Sequence, residues 1–286
     1  MRTGIDPTID IVFKKIFGSP GREHLTLHFL NEILPLAGRD RAASLSILNP
    51  FVLAEFEGSK EIHVDLRLED ERHREYQVEM QVRPRGAFDE RMLDNWAHLY
   101  AGQLARGDAY EAHRQVISLW VIRQEHFRDG RWLHVFEARD LVSNRVLSPS
   151  FLIITLELDA WSRLRKEDGR AIVEGEGLEK WLTLLTEGGS LDPGDLPGSL
   201  ADADLREALE AMAEFTVKEK ERYLYQRRLD FERSRLSEMN EARAEGKAEG
   251  ERRKALDTAR RLKGMGMEIA KIAEATGLSM EEVEGT

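Results

Sequence analysis

The sequence predicts an α/β fold, a mixed central sheet flanked by helices, with a helical C-terminal extension. Three observations carry that reading. Apolar residues in the first half switch between helical spacing and strand alternation. Two six-residue runs, "ISLWVI" and "FLIITL", have the composition of strands buried on both faces of a sheet. From about Asp204 onward nearly every residue is compatible with helix.

The elements follow in order. In "EHLTLHFLNEIL" the residues Leu25, Leu27, Phe29, Leu30, Ile33 and Leu34 fall close to helical spacing, and Pro35 stops them. The segment "SLSILNPFVLAEF" reads as a strand, with Gly58-Ser59 as punctuation after it. The stretch "HVDLRLEDERHREYQVEMQ", His63 to Gln81, then reads as two alternating strands around a charged turn. A helix follows in "FDERMLDNWAHLYAGQLARG", with Met92, Leu93, Trp96, Leu99, Tyr100 and Leu104 on its apolar stripe and Gly107 as its expected stop. The strand "QVISLWVIR" comes next. A helix joining the third strand to the fourth implies a crossover within a mixed sheet.

"RWLHVFEA" and "SFLIITLEL" supply further strands, the second apolar enough to be central. Beyond Asp159 the chain turns helical, interrupted by the loop "EGGSLDPGDLPGSLAD". That loop divides an expected core, residues 1–200, from an expected helical region, 201–286. In residues 218–286, 16 basic and 15 acidic side chains mix nearly all round the helix, which suits a solvated or self-associating helix held by pairs three or four residues apart. Gly246 and Gly250 lie four apart in it, as a hinge or a close helix contact. The closing "MEIAKIAEATGLSMEEV" is similar to the opening of a helix-turn-helix, with a small helical cap or partner-binding piece as the expectation.

Composition excludes several chemistries. The chain has no cysteine, so disulfides, zinc–thiolate sites and a cysteine nucleophile are ruled out. No apolar run approaches the roughly 20 residues of a membrane helix, and the N-terminus lacks a secretory h-region, so a soluble cytoplasmic protein with no membrane partner is expected. There is no phosphate loop of the G-x-x-x-x-G-K-[ST] type and no G-x-G-x-x-G, and Ser19 does not sit in a nucleophile elbow. His24 and His28 share a helix face without a third ligand. Trp96, Tyr100 and Trp120 sit at core-like spacing. The net charge of −11 argues against a general polyanion binder, but residues 159–217 concentrate the acidity, with 14 acidic against 6 basic side chains. Around His63–Gln81, Arg67, Arg72, Arg74, Arg83, Arg85 and Arg91 form either a local positive rim or a solvated surface.

The site reading starts from alternation. Val64, Leu66 and Leu68 alternate with His63, Asp65 and Arg67; Tyr76, Val78 and Met80 alternate with Gln77, Glu79 and Gln81. A half-buried hairpin with one face in water gives the same pattern. If Leu68 pairs with Tyr76, Asp65 faces Glu79, and two opposed carboxylates ask for a cation such as Mg²⁺. A slip of two residues would place Gln77 there instead. Asp10 and Lys14, four apart, share a helix face and form either an ordinary ion pair or part of the same site.

Asp65 followed by Glu79-Met80-Gln81 on the next strand resembles the PD-(D/E)xK phosphodiesterase core, and most closely its recombination-promoting, transposase-like nucleases, which typically carry "ExQ" for "ExK". "DIVFKKIFG" is similar to the family's N-terminal box. The resemblance continues through "HFLNEIL", "LYAGQLARGDAY" and "VISLWVI" to "EARAEGKAEGE" and "IAEATGLS". It implies a metal-dependent DNA endonuclease, with Asp65, Glu79 and the Met80 carbonyl as ligands of Mg²⁺ or a similar ion. It further implies that Gln81 orients the attacking water, that Asp10 and Lys14 are accessory, and that DNA is the partner. Self-association through the C-terminal helix is a further expectation. The alternative keeps the fold without the chemistry, as a nucleic-acid or protein interaction module.

Overall fold

The computed structural model describes residues 2–49, 65–84, 86–168 and 176–286. Much of the expected strand at 44–56, the Gly58-Ser59 punctuation, the His63–Val64 start of the next strand and Arg85 lie outside the described residues. By contact the chain divides into two compact units, Met1–Gln226 and Arg227–Thr286.

The first unit opens with helices α1 (Asp10–Phe17) and α2 (Glu23–Ile33). Strands β1 (Leu45–Ile47), β2 (Leu66–Asp70) and β3 (Glu75–Gln81) follow, then helix α3 (Phe88–Ala101). Strands β4 (Val116–Ile122), β5 (Leu133–Phe136) and β6 (Phe151–Glu157) complete a sheet of order β1-β2-β3-β4-β6-β5. It is mixed: β3, β4 and β6 run parallel, and β1–β2, β2–β3 and β5–β6 pair antiparallel. Helices α4 (Leu158–Asp168), α5 (Glu176–Glu187) and α6 (Ala203–Val217) follow, and the Pro/Gly loop before α6 lies within this unit.

The strands form where the apolar runs place them, and β4 is buried at all seven positions. The turn from β2 to β3 is tied by one carboxylate. Asp70 accepts from the Arg72 and Arg74 amides through Oδ1, and from Arg74 Nε (2.6 Å) and the Tyr76 hydroxyl (2.8 Å) through Oδ2. His73 takes a left-handed φ of 60° to close it. Helices α1, α2 and α5 meet through rings, with Phe17 5.1 Å from Phe29 and 5.6 Å from Trp181.

Three expectations need correction. Helix α3 stops at Ala101, capped by Gly102, and Gly107 forms a later turn with φ +103°. The residues after the cap leave the helix because Arg114 and Glu75 bind the Gln103 side chain, pulling the chain toward β3. The β3 strand is not half-solvated: Glu75 through Met80 are all buried, because α3 covers the face that carries Gln77 and Glu79. Nor are the arginines one positive rim. Arg67 pairs with Glu75, Arg72 with Asp40 and buried Arg74 with Asp70, so much of that charge is already neutralised.

The second unit holds most of the 46-residue helix α7 (Glu219–Gly264) and the short helices α8 (Ile269–Thr276) and α9 (Met280–Glu284). Ala259, Ile272 and Val283 form its fully buried centre. Gly277 turns the chain between α8 and α9 at φ +71°, and Ser279 with Glu282 makes a reciprocal capping box.

Candidate active site

Register brings the site together. Leu66 faces Val78 and Leu68 faces Tyr76, so the same antiparallel frame sets Asp65, one residue ahead of β2, against Glu79. Both side chains are nearly buried, Asp65 at 9% and Glu79 at 8% exposure. The Glu79 Oε1 accepts the Asp65 amide at 3.4 Å, and the Asp65 Oδ2 accepts the Met80 amide at 2.8 Å. Met80 thus presents its backbone N–H to Asp65.

Helix α1 delivers a cation to the pair. Lys14 Nζ lies 2.9 Å from Asp65 Oδ1, and the carboxylate of Asp10 is close enough to act on Asp65 electrostatically. The ring anchors of Phe13 and Phe17 on the buried side of α1 leave Lys14 facing the sheet end.

Burial is the main influence on both carboxyls. It raises the Asp65 pKa, opposed by the Lys14 charge and the Met80 amide. Burial together with the Asp65 charge pushes Glu79 up to about 8, against the hydrogen bond from Gln77. Two acids that resist ionisation side by side, next to one ammonium, form a site short of positive charge.

A hydrogen-bonded chain under α3 sets Glu79 in place. Gln77 Nε2 donates to Glu79 Oε1 at 2.8 Å, Ser118 Oγ donates to Gln77 Oε1 at 3.4 Å, and Trp120 Nε1 donates to Ser118 Oγ at 2.8 Å. Gln77, Ser118 and Trp120 are fully buried. The parallel pairing of Gln77 with Ser118 and of Glu79 with Trp120 aligns them on one face. Sequence alternation marked Gln77 only as a polar strand residue; Ser118, which holds its other end, lies on β4, and spacing holds no sign of that contact.

Gln81 lies on this face two residues beyond Glu79, at the end of β3, with no hydrogen bond to either carboxylate among the described residues. Its Nε2 donates to the Arg83 carbonyl at 2.8 Å, and its Oε1 accepts from the Arg91 guanidinium. His24 and His28 stand apart from the site, bonded to Glu207 and Asp204.

The donor set suits a hard cation: two nearly buried carboxylates on adjacent strand ends supply oxygen ligands of the kind Mg²⁺ takes one or two of. Among the described residues no cluster of three or more His, Asp or Glu forms a fuller cage. With metal, the arrangement can hold an ion against a phosphodiester; without it, the Lys14 ammonium offsets part of the charge.

A family model described as PD-(D/E)XK nuclease family transposase matches residues 7–242. Among curated proteins and among solved structures there is no significant match.

Proposed function

Because the chain belongs to the PD-(D/E)XK nuclease family transposases, we propose that it is a metal-dependent DNA endonuclease that hydrolyses phosphodiester bonds in recombination or transposon-type events. The observation that carries this reading is the nearly buried Asp65–Glu79 pair, with the Lys14 ammonium against Asp65. Asp65 and Glu79 would hold the Mg²⁺ or similar ion, with the Met80 carbonyl as a further candidate ligand. Such an ion supplies Lewis-acid polarisation of the phosphate and a more acidic bound water.

The chain's own residues do the rest. Gln77 holds the Glu79 carboxylate at a fixed angle through a buried bond. Lys14 holds one Asp65 oxygen and brings a second positive charge to where phosphate negative charge would gather. Asp10, on the same face of α1, acts electrostatically on Asp65. Gln81 sits where most of the superfamily has a lysine, and a neutral amide cannot itself offset developing negative charge.

DNA is the expected partner, and the charged helix α7 is a candidate surface for self-association. The test is nicking of supercoiled plasmid in Mg²⁺ by the full chain beside Asp65→Ala and Glu79→Ala. Loss of nicking in both variants supports the enzyme. Equal nicking by all three sinks it. A second reading, a nuclease fold kept as an interaction module, is favoured by one observation: both ends of the Gln81 amide are engaged elsewhere. Plasmid binding by the wild-type chain with no Mg²⁺-dependent nicking would select it.

A further inference from the structure

Arg91 lies in the first turn of α3, and three groups fix its guanidinium. It donates to Gln81 Oε1, and its centre sits 5.2 Å from the Phe88 ring and 5.3 Å from the Trp120 ring. Both rings are buried, Phe88 at 4% and Trp120 at 0% exposure, and meet edge to face at 5.3 Å. An arginine held so firmly loses little further freedom on meeting a ligand.

Its charge has no acid to answer it among the described residues. Arg67, Arg72 and Arg74 are each ion-paired, whereas Arg91 has no carboxylate partner among the described residues. It is also exposed. A clamped, exposed guanidinium beside the position of the missing lysine wants an anion from outside the protein. The anion that the nuclease reading brings there is a DNA phosphate.

We infer that Arg91 contacts the phosphate at or next to the scissile bond and supplies the positive charge that Gln81 lacks, and that Gln81 acts as its positioning residue. The inference rests on the nuclease reading of Asp65 and Glu79 and assigns Gln81 a task other than orienting water. A planar fork suits two phosphate oxygens at once, which an ammonium does not. The Gln81 Oε1, fixed by the hydrogen bond that Nε2 of the same side chain donates to the Arg83 carbonyl, aims the fork.

The test uses the full chain as wild type, Asp65→Ala, Arg91→Ala, Arg91→Lys, Gln81→Ala, Gln81→Ala/Arg91→Ala and Gln81→Lys/Arg91→Ala. Plasmid cleavage is measured in Mg²⁺. Binding of a labelled duplex is measured by fluorescence anisotropy in Ca²⁺ across a salt series, and binding of Mn²⁺ alone by calorimetry. Arg91→Ala should lower cleavage by about 10²- to 10³-fold, as for loss of one donor to developing charge. It should leave Mn²⁺ affinity unchanged and reduce the salt slope of DNA binding by about 0.9, the share of one phosphate. Arg91→Lys should fall between, Gln81→Ala should add nothing to Arg91→Ala, and Gln81→Lys should restore part of the lost cleavage. If Arg91→Ala lowers thermal stability, Arg91→Met, which keeps the stem over both rings, takes its place. Wild-type cleavage and an unchanged salt slope in the Arg91 variant, with Asp65→Ala dead, overturn this inference and leave the nuclease standing. Failure of the wild type to cleave above Asp65→Ala overturns both.

Discussion

Glu79 has a proton affinity far above that of an exposed glutamate, and the sign of its consequence can be worked out. Its ordinary value is 4.5 and burial beside Asp65 lifts it to about 8. Between those values the folded chain binds more protons than the unfolded one, so metal-free stability should fall as pH rises through that window. Glu79→Gln removes the titration and should flatten the decline in thermal midpoint between pH 5 and 8; an equally steep decline would show that another group causes it. A divalent ion should displace the retained proton, so calorimetry of Mn²⁺ binding near pH 7 in buffers of different ionisation enthalpy should register proton release. No release would mean that Glu79 is already ionised. At this scale the sequence was legible in part. Asp65 and Glu79 were marked by alternation and an assumed register, whereas the meaning of Arg91 depends on α3 docking over Trp120, a contact between elements that spacing does not carry.

At the scale of elements, β3 shows how a strand can bury polar residues. Gln77 and Glu79 lie under α3 because Gln77 donates to Glu79 and accepts from Ser118 on β4, which in turn accepts from Trp120. Gln77→Leu should therefore weaken Mn²⁺ affinity or cleavage by about 10- to 100-fold, the usual loss when a group supporting a metal ligand is removed. An affinity within twofold of wild type would show that Glu79 needs no such support. Helix α1 is held by Phe17 among Phe13, Phe29 and Trp181, so Phe17→Ala should cost about 3–5 kcal/mol in denaturant unfolding. A loss below about 1 kcal/mol, the size of a trimmed methylene, would mean that these rings do not anchor it. Strands β4 and β6 were readable because parallel strands buried on both faces are continuously apolar. The end of α3 is not legible in the sequence because Gly102, not the later Gly107, caps it, and both glycines fit the local pattern.

For the whole molecule, the family match spans residues 7–242, and the order of helices and strands among the described residues was the part most open to sequence reasoning. What was hidden is the cancellation of charge: the arginines near the site are clustered in sequence, yet three are spent on Asp40, Asp70 and Glu75. The exposed Phe231 and Met239 of α7 would give the proposed self-association an apolar footing. Sedimentation of the full chain should show a species larger than the 32.8 kDa monomer, reduced by Phe231→Ser/Met239→Ser. A monomer at all concentrations would remove that proposal without touching the site.

The central claim is that Asp65 and Glu79 together hold the ion at which DNA is cut. Its most direct test is the rate of supercoiled plasmid nicking as Mg²⁺ is raised from zero, for the wild type and for Glu79→Gln, which keeps the shape and its bond from Gln77. The account predicts wild-type nicking that saturates with Mg²⁺ and stops in chelator, and a variant slower by at least about 100-fold, the upper end of the loss for a supporting group. Nicking that ignores Mg²⁺, or that proceeds equally in Glu79→Gln, would contradict it.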